Sequence, residues 1–267
     1  MPRLHLIEIH DQEWCPRVLR DAVTDYLQFV TDMANPYAAV VDRLRIAVAR
    51  SGATRIVDLC SGAGGPWLRL LPLLRTDATS SLSVILTDRF PNVVAMERMR
   101  AASEGSLDYD PRPIDATDTP PDVEGFRTLF ASFHHFRPPD AERILADAVR
   151  RRQGIAVFEM THRSVIAVLL VGLAPLLVLV STPFVRPFRW SRLLWTYLVP
   201  VLPVLILFDG IVSSLRTYSP SELTELTQRL GSNGFTWEIG EETAGPGPVP
   251  VTYLVGYPEE VWSNGQR

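Results

Sequence analysis

An acidic residue followed by a glycine-rich turn is the clearest chemical signal in the sequence. The stretch RIVDLCSGAGGPW begins at Arg55 and places Asp58 near the end of a short apolar run. Gly62, Gly64 and Gly65 follow within a few residues. Glycine adopts the positive φ angles of tight turns, and its bare backbone lets a ligand approach closely. The pattern predicts a ligand-binding turn, and helix packing is the alternative reason for such glycines.

Polar residues also follow the next three apolar runs. Asp88 ends VILTD, Asp115 and Ala116 lie in IDATD, and a serine and two histidines lie in FASFHHF. In an open parallel sheet, ligands bind at the carboxyl ends of the strands, beside the reversal of strand order. A carboxylate there can accept hydrogen bonds from both hydroxyls of a ribose. Asp115 with the backbone of Ala116 could hold the edge of an adenine.

Short apolar runs alternate with amphipathic patterns over most of the chain, which is typical of βαβ units and a parallel sheet. Two helices are predicted before the first strand, in DQEWCPRVLRDAVTDYLQFVTDM and in NPYAAVVDRLRIAVARSG, the second with Asn35 as its N-cap. They indicate an N-terminal helical cap over residues 1–52, in front of a main domain over residues 53–267. After a late helix capped by Ser219 or Ser221, FTWEIGEE and PVTYLVGYP predict two final strands joined by TAGPGPVP.

An apolar segment interrupts this pattern between residues 164 and 212. Residues 165–182 are almost uncharged and approach the roughly 18–20 residues of a membrane helix. A hairpin of two membrane spans would place Arg186, Arg189 and Arg192 outside the cytoplasm, against the positive-inside tendency. Two interpretations stay open. The segment is either a monotopic membrane anchor or a hydrophobic lid and dimer surface that shapes an apolar substrate pocket.

Composition excludes some partners and sites. The 267 residues carry a formal net charge of −4, so there is no broad basic field for nucleic acid. Cys15 and Cys60 form neither a disulfide framework nor a metal-ligand pattern, and no metal site is expected. The first residues, MPRLHLIEIHDQEW, lack the apolar core of a signal peptide, and the cytoplasm is the expected location.

In their order, these motifs resemble those of the class I S-adenosylmethionine-dependent methyltransferases. The resemblance runs from about Asn35 to the C-terminus, apart from the apolar segment. It rests on the motifs VDLCSGAGG, LTD, IDATD, FASFHHF and FEMT. It implies an α/β fold with a doubly wound, Rossmann-like sheet of seven strands, mostly parallel with an antiparallel last strand. The apolar segment would be a helical insert after the fifth strand. The cofactor would be S-adenosyl-L-methionine.

The resemblance also implies roles for the strand ends. The glycine turn would approach the amino-acid end of the cofactor, the second-strand acid its ribose and the third-strand acid its adenine. Asp58 would hold the turn or bind the ammonium group of the cofactor. The implied cofactor-binding residues are Asp58, Cys60, Gly62, Gly64, Asp88, Asp115, Ala116 and Ser132.

Two features of the turn bear on this assignment. Cys60 departs from the family pattern, because it stands where the family often has its first glycine. A nicotinamide dinucleotide is the rival ligand, but Trp67 stands where the motif Gly-x-Gly-x-x-Gly has its third glycine.

The fourth and fifth strand ends hold the candidate catalytic residues His134, His135 and Glu159. Methyl transfer needs proximity, alignment and, for some acceptors, a base. A histidine could take a proton from a hydroxyl or ammonium group at neutral pH. Because the two histidines are adjacent and point in different directions, we expect at most one to face the cofactor. Glu159 could instead pair with Arg163 or Arg216.

The expected function is transfer of a methyl group to the oxygen or nitrogen of a small hydrophobic or lipid-like acceptor. In this family, insertions after the fifth strand commonly build the substrate site, so an apolar insert implies an apolar acceptor. The alternative is a non-catalytic, S-adenosylmethionine-binding or membrane-tethered scaffold of the same fold. Contact with the inner face of the membrane and a homodimer through the insert are the expected further associations.

Overall fold

The computed structural model describes residues 1–75, 82–231, 234–243 and 249–259, so part of the predicted TAGPGPVP turn lies outside the described residues. The strands are β1 (Arg55–Leu59), β2 (Ser83–Asp88), β3 (Leu107–Pro113), β4 (Phe126–Phe130), β5 (Ile155–Glu159), β6 (Phe235–Glu242) and β7 (Val251–Pro258). The α-helices are α1 (Arg17–Ala34), α2 (Val41–Ser51), α3 (Trp67–Leu74), α4 (Val93–Ala102), α5 (Pro138–Arg150), α6 (Val165–Val171), α7 (Ala174–Ser181), α8 (Trp190–Leu193), α9 (Val201–Arg216) and α10 (Pro220–Arg229).

The seven strands form one sheet in the order β3-β2-β1-β4-β5-β7-β6. Strands β1 to β5 pair with one another in parallel, and β7 is antiparallel to both β5 and β6. This confirms the predicted doubly wound sheet, mostly parallel with an antiparallel last strand. The strand order reverses between β1 and β4, and in folds of this type ligands bind at the carboxyl ends of the strands beside that reversal.

Helices cover both faces of the sheet because its central strands are apolar on both sides. Strands β4 and β5 are buried along their whole length. On one face, Leu44 of α2, Leu70 of α3 and Met96 of α4 pack against the strands. On the other face, Ile144 of α5 and Leu223 of α10 form a second core. Helix α2 is thus a layer on the sheet, although it falls within the predicted N-terminal cap.

The two predicted helix caps have different outcomes. Asn35 stands at the predicted N-cap position, but of the 3-10 helix Pro36–Val40, and its side chain makes no capping hydrogen bond. Its φ is 43° and its N–H donates to the Thr31 carbonyl at 2.8 Å, so it also ends α1. Left-handed backbone at an asparagine suits the end of a helix. The turn Pro36–Val40 is a 3-10 helix that leads into α2. Ser219 caps α10 as predicted, in a capping box with Glu222.

The apolar insert folds into α6 to α9, with a π-helical continuation of α8, and packs against α1. Tyr26 of α1 and Leu205 of α9 belong to one buried apolar cluster between these helices. The Asp25 carboxylate of α1 accepts hydrogen bonds from Arg189 and Arg192 of the insert. The side chains of Asp25 and Arg192 are at most 1% exposed. A buried ion pair therefore fixes the insert to the first helix.

Helix length and hydropathy bear on the membrane expectation. Among the described residues, no single helix is both long enough and apolar enough to cross a bilayer. The helices Trp190–Leu198 and Val201–Arg216 meet that test only as a pair, and they are bent by 82° at the break between them.

Candidate active site

A cavity of about 710 Å³ lies at the carboxyl ends of the parallel strands. The residues that follow β1, β2, β3 and β4 line one part of it, here called the strand-end wall. The segment from His5 to Trp14, here called the N-terminal wall, lines another part of it with all its residues except Glu8 and Ile9. Helix α1 contributes Thr24, Leu27 and Gln28 to the lining. The cavity is therefore closed by parts of the chain that lie on either side of the first helix in sequence.

The glycine turn after β1 forms the centre of the strand-end wall. Its backbone is left-handed at Cys60, with φ 58°, and at Gly62, with φ 57°. Gly62 lines the cavity, whereas Gly64 does not. A Cβ on Gly64 would lie 2.6 Å from Cγ of Met99, so α4 packs directly against that glycine. Both explanations for the glycines apply: Gly62 lies at the cavity and Gly64 serves packing.

Asp58 lies beneath the turn and is 1% exposed. Its Oδ1 accepts the Thr128 hydroxyl at 2.6 Å, and its backbone carbonyl accepts the hydroxyls of Ser61 and Thr87 at 2.8 and 2.9 Å. Burial raises the pKa of the Asp58 carboxyl to about 7. Because Asp58 is absent from the cavity lining, its position corresponds to the predicted role of holding the turn.

Asp88 joins the turn to the end of β2. Its Oδ2 accepts the Gly62 N–H at 2.7 Å, and its Oδ1 accepts the Phe90 N–H at 2.7 Å. Burial raises the pKa of the Asp88 carboxyl, against the effect of these two N–H groups. Asp88 lines the cavity, and each carboxylate oxygen can accept more than one hydrogen bond. The carboxylate can therefore hold the turn and receive a ligand hydroxyl together.

Asp115 and Ala116 lie side by side in the same wall. The Asp115 Oδ1 accepts the Thr117 N–H at 2.8 Å and the Thr117 hydroxyl at 2.7 Å. These bonds cap the short 3-10 turn that follows β3. The arrangement fixes the carboxylate at the cavity with its second oxygen outside the capping bonds.

The end of β4 presents a buried hydroxyl to the cavity. Ser132 is 4% exposed, and its hydroxyl has no hydrogen-bond partner among the described residues. Buried polar groups are nearly always paired, so such a group in a cavity wall indicates a missing ligand or water. The preceding Ala131 has φ 45°, a second strained non-glycine residue at the cavity beside Cys60. Strain of this kind clusters at functional sites.

His134 and Glu159 lie behind the cavity wall. The Glu159 carboxylate accepts the backbone N–H of His134 at 3.0 Å and its ring Nδ1–H at 2.7 Å. Burial alone would raise the pKa of Glu159, but the contacts with His134 lower it below its usual value. The rings of His134 and His135 do not point apart as expected, since their centroids are 4.3 Å apart with a tilt of 30°.

The expected alternative pairings of Glu159 are also not observed. Arg163 contacts Glu222 at 2.7 Å. Arg216 contacts Glu8 at 3.1 Å. Of the three predicted catalytic residues, His135 is the one in the cavity lining.

His135 meets two carboxylates of the N-terminal wall. Its Nδ1 lies 2.6 Å from Asp11 Oδ2 and 3.4 Å from Glu8 Oε2. Burial alone would lower the pKa of His135, but Asp11 and Glu8 raise it to about 9. Glu8 and Asp11 were not predicted as site residues; the signal available was their spacing around a histidine in EIHD.

The N-terminal wall is held by the end of the insert. Asp209 of α9 accepts the N–H of Ile9 at 2.7 Å. Arg216, at the end of α9, contacts Glu8 at 3.1 Å and Asp11 at 3.5 Å. These contacts bring residues 200 positions apart into one site.

The fold is similar to solved structures of three proteins. The pyocyanin biosynthetic protein PhzM aligns with a TM-score of 0.52 and 15% identity, over 94% of this chain and 62% of that chain. PigF, solved with S-adenosylhomocysteine (SAH), aligns with a TM-score of 0.51 and 17% identity, over 92% and 62%. A putative O-methyltransferase from Nostoc punctiforme aligns with a TM-score of 0.50 and 14% identity, over 88% and 59%.

This chain thus spans about 60% of the length of each of these proteins. No family model matches the sequence, and no curated protein matches it significantly. The strand order, the cavity at its reversal and these alignments agree with the resemblance seen in the sequence motifs. The chain has the fold of the class I S-adenosylmethionine-dependent methyltransferases.

Proposed function

We propose that the protein is an S-adenosylmethionine-dependent methyltransferase that acts on oxygen or nitrogen of a small apolar acceptor. This proposal rests on one observation. The glycine turn at Gly62 lines the same cavity as Asp88 and Asp115, and that cavity lies where the strand order reverses. The unpaired hydroxyl of Ser132 in the same wall supports a polar ligand there. The bound SAH of PigF, a protein of the same fold, supports this ligand class.

The residues present fit this cofactor. Asp88 would accept hydrogen bonds from its ribose hydroxyls, and Asp115 with Ala116 would bind the edge of its adenine. The turn at Gly62 would lie against its methionine part because Gly62 has no side chain of its own; the Thr24 methyl group lies 3.5 Å from where a Cβ would be. The bound cofactor supplies a methyl group activated on a sulfonium sulfur.

The rest of the cavity favours an apolar acceptor. Leu27, Phe130 and Phe136 line it together with His135. Because the His135 ring lines the cavity and carries an N–H, we assign it to donate a hydrogen bond that orients the acceptor. His134, whose ring centroid lies 4.3 Å from that of His135, acts as a positioning residue held by Glu159.

The test of this proposal is calorimetric titration of the full chain with S-adenosylmethionine, with SAH and with NAD. Micromolar binding of the first two without NAD is the expected result, followed by methyl transfer in a screen of phenolic, quinone and lipid acceptors. Binding without transfer to any acceptor would favour the scaffold alternative. If neither S-adenosylmethionine nor SAH bound, the glycine turn would serve packing alone.

We also propose that the outer surface of the insert contacts a lipid bilayer of anionic composition. Leu169, Val180, Phe184, Trp190 and Leu198 are each at least 65% exposed. Soluble monomers rarely expose apolar surface on this scale without a partner. Large aliphatic side chains with an exposed tryptophan are typical of a surface that lies at the headgroup boundary.

The charges of the insert support lipid as the partner. Arg189 and Arg192 turn inward to Asp25, which leaves the outer surface without their charge. Arg186 is exposed and has no ion-pair partner in the described part of the chain. A free guanidinium beside an apolar surface is complementary to anionic headgroups, which are abundant on the cytoplasmic leaflet. The proposal therefore predicts peripheral contact with the inner face of the membrane.

Sedimentation with anionic phospholipid vesicles tests this contact. The double variant Leu169→Glu with Val180→Glu should lose vesicle binding, because it places charges on the apolar surface. Ile46→Glu is the matched control, since Ile46 is 50% exposed on α2, outside the insert. A chain that stays in the supernatant and forms dimers by light scattering would assign the surface to a second copy instead.

A further inference from the structure

Four side chains bring potential metal ligands together where the N-terminal wall meets the end of β4. One ligand atom from each lies within 4.8 Å of the others, and we call this group the N-terminal cluster. Its members are Glu8, His10, Asp11 and His135. We propose that the N-terminal cluster binds a divalent transition-metal ion. This departs from the expectation of no metal site, which considered the two cysteines and not these residues.

The carboxylate of Glu8 is the first observation that points to a cation. Glu8 is 0% exposed, and neither of its carboxylate oxygens has a hydrogen bond among the described residues. Its Oε2 points to His135, 3.4 Å from Nδ1, and its Oε1 lies 3.1 Å from Arg216. A fully buried carboxylate without hydrogen bonds is unfavourable unless cations compensate it. Arg216 reaches one oxygen, and a metal ion in the cluster would compensate the other.

The orientation of His10 is the second observation. Its Nδ1 lies 2.8 Å from Oδ2 of Asp209, so this nitrogen donates its proton to the carboxylate. In the neutral ring the lone pair of Nε2 is then available to a metal ion, and Nε2 lies 3.6 Å from Oδ1 of Asp11. Asp209 is itself fixed by the backbone N–H groups of Ile9 and His10, at 2.7 and 3.1 Å. A carboxylate that orients a histidine in this way is typical of metal ligation.

Charge supports an ion with two positive charges. The carboxylates of the cluster and its direct contacts are Glu8, Asp11 and Asp209, and the guanidinium that contacts them is Arg216. With neutral imidazoles, three carboxylates and one guanidinium leave two negative charges. Glu159, the nearest further carboxylate, is already engaged by His134.

The donor set indicates which ions fit. Two imidazoles with two carboxylates suit Zn²⁺, Mn²⁺, Fe²⁺ or Co²⁺ better than Mg²⁺ or Ca²⁺, which prefer ligand sets made of oxygen alone. His10, Asp11 and His135 also line the cavity. A bound ion would therefore face the acceptor, and it would hold an ionisable acceptor oxygen; this last step rests on the proposed function.

Calorimetric titration of the chelator-treated full chain with ZnCl₂ and with MnCl₂ tests the site, with MgCl₂ as the comparison. One equivalent of Zn²⁺ or Mn²⁺ should bind and raise the melting temperature. Binding should be lost in Glu8→Gln and in His10→Ala. Asp209→Asn should weaken it by about 10- to 100-fold, because this carboxylate orients a ligand.

His162→Ala is the matched control, since its ring also contacts a carboxylate, Glu241 at 3.2 Å, but lies outside the cavity lining. Metal binding that survives His10→Ala in a folded chain, or that is absent from the parent chain, would overturn the proposal. His10→Ala keeps the test decisive if the buried Glu8→Gln variant does not fold. Titration of the same samples with SAH distinguishes failure of the metal proposal from failure of the proposed function. SAH binding without metal binding would reject the metal site and leave the proposed cofactor site unaffected.

Discussion

The strand-end wall and the N-terminal wall of the cavity are stabilised in different ways. The strand-end wall is part of the sheet, and its polar contacts join neighbouring strands, as from the Gly62 N–H to Asp88. The N-terminal wall is irregular backbone tied to α9 by Asp209 and Arg216. One wall takes its shape from backbone pairing and the other from buried charge. Removal of a charge should therefore disturb the N-terminal wall more than the strand-end wall.

Arg216→Met is the strongest test of this comparison, with an expected loss of about 3–5 kcal/mol in the free energy of unfolding. The guanidinium is 3.1 Å from Glu8 and donates to the His134 carbonyl at 3.1 Å. Its removal leaves the fully buried Glu8 without its nearest cation. Urea denaturation monitored by circular dichroism would measure the loss.

The control for this variant is Arg229→Met. Arg229 pairs with Glu142 at 3.8 Å, and both side chains are more than one-third exposed. Exposed pairs contribute about 0–1 kcal/mol, so a small loss is expected. Similar losses in the two variants would mean that buried charge does not hold the N-terminal wall.

Asp58, beneath the glycine turn of the strand-end wall, predicts a pH dependence of the free energy of unfolding. Its pKa is raised to about 7, above its ordinary value near 3.8, so the folded chain binds a proton that the unfolded chain releases. The stability from this proton is complete below pH 4 and is lost as the pH rises to about 7, on the order of 4 kcal/mol. The measurement is the free energy of unfolding between pH 4 and pH 8.

Asp58→Asn cannot titrate, and its stability should fall less over this pH range. The difference between the two profiles isolates Asp58 from the other groups that titrate there. Parallel profiles would show that the buried carboxyl is not protonated in the folded chain.

Asp88→Ala should weaken binding of S-adenosylmethionine about a hundredfold, which corresponds to about 2.7 kcal/mol. The variant removes two charge-assisted hydrogen bonds to the ribose and also frees the Gly62 N–H at the turn. Calorimetry with SAH would measure the change. Asp122→Ala, at an exposed carboxylate 2.7 Å from Arg112, is the control that should bind normally. Unchanged affinity in Asp88→Ala would remove the ribose assignment.

Much of the strand-end wall could be predicted from the sequence because its signals are local. Asp88 is the last residue of β2 and Asp115 lies two residues after β3, and parallel pairing brings strand ends together without further information. The N-terminal wall could not be predicted, since the contact of Glu8 with Arg216 depends on the path by which the insert returns to the sheet. The choice of His135 as the histidine that lines the cavity depends on the backbone of a single 3-10 turn, which sequence spacing does not encode.

Ser219→Ala tests a stabilising contact that is local and was predicted from the sequence. The loss should be about 1 kcal/mol, because the helix end is near solvent and water can reach the freed N–H of Glu222. Ser221, the rival cap candidate, is exposed, and its hydroxyl lies 2.9 Å from that of Ser219. Ser221→Ala should therefore change stability by less than about 0.5 kcal/mol. If Ser219→Ala were as harmful as Arg216→Met, local capping and long-range charge would stabilise the chain alike, and the contrast between the two walls would lose its basis.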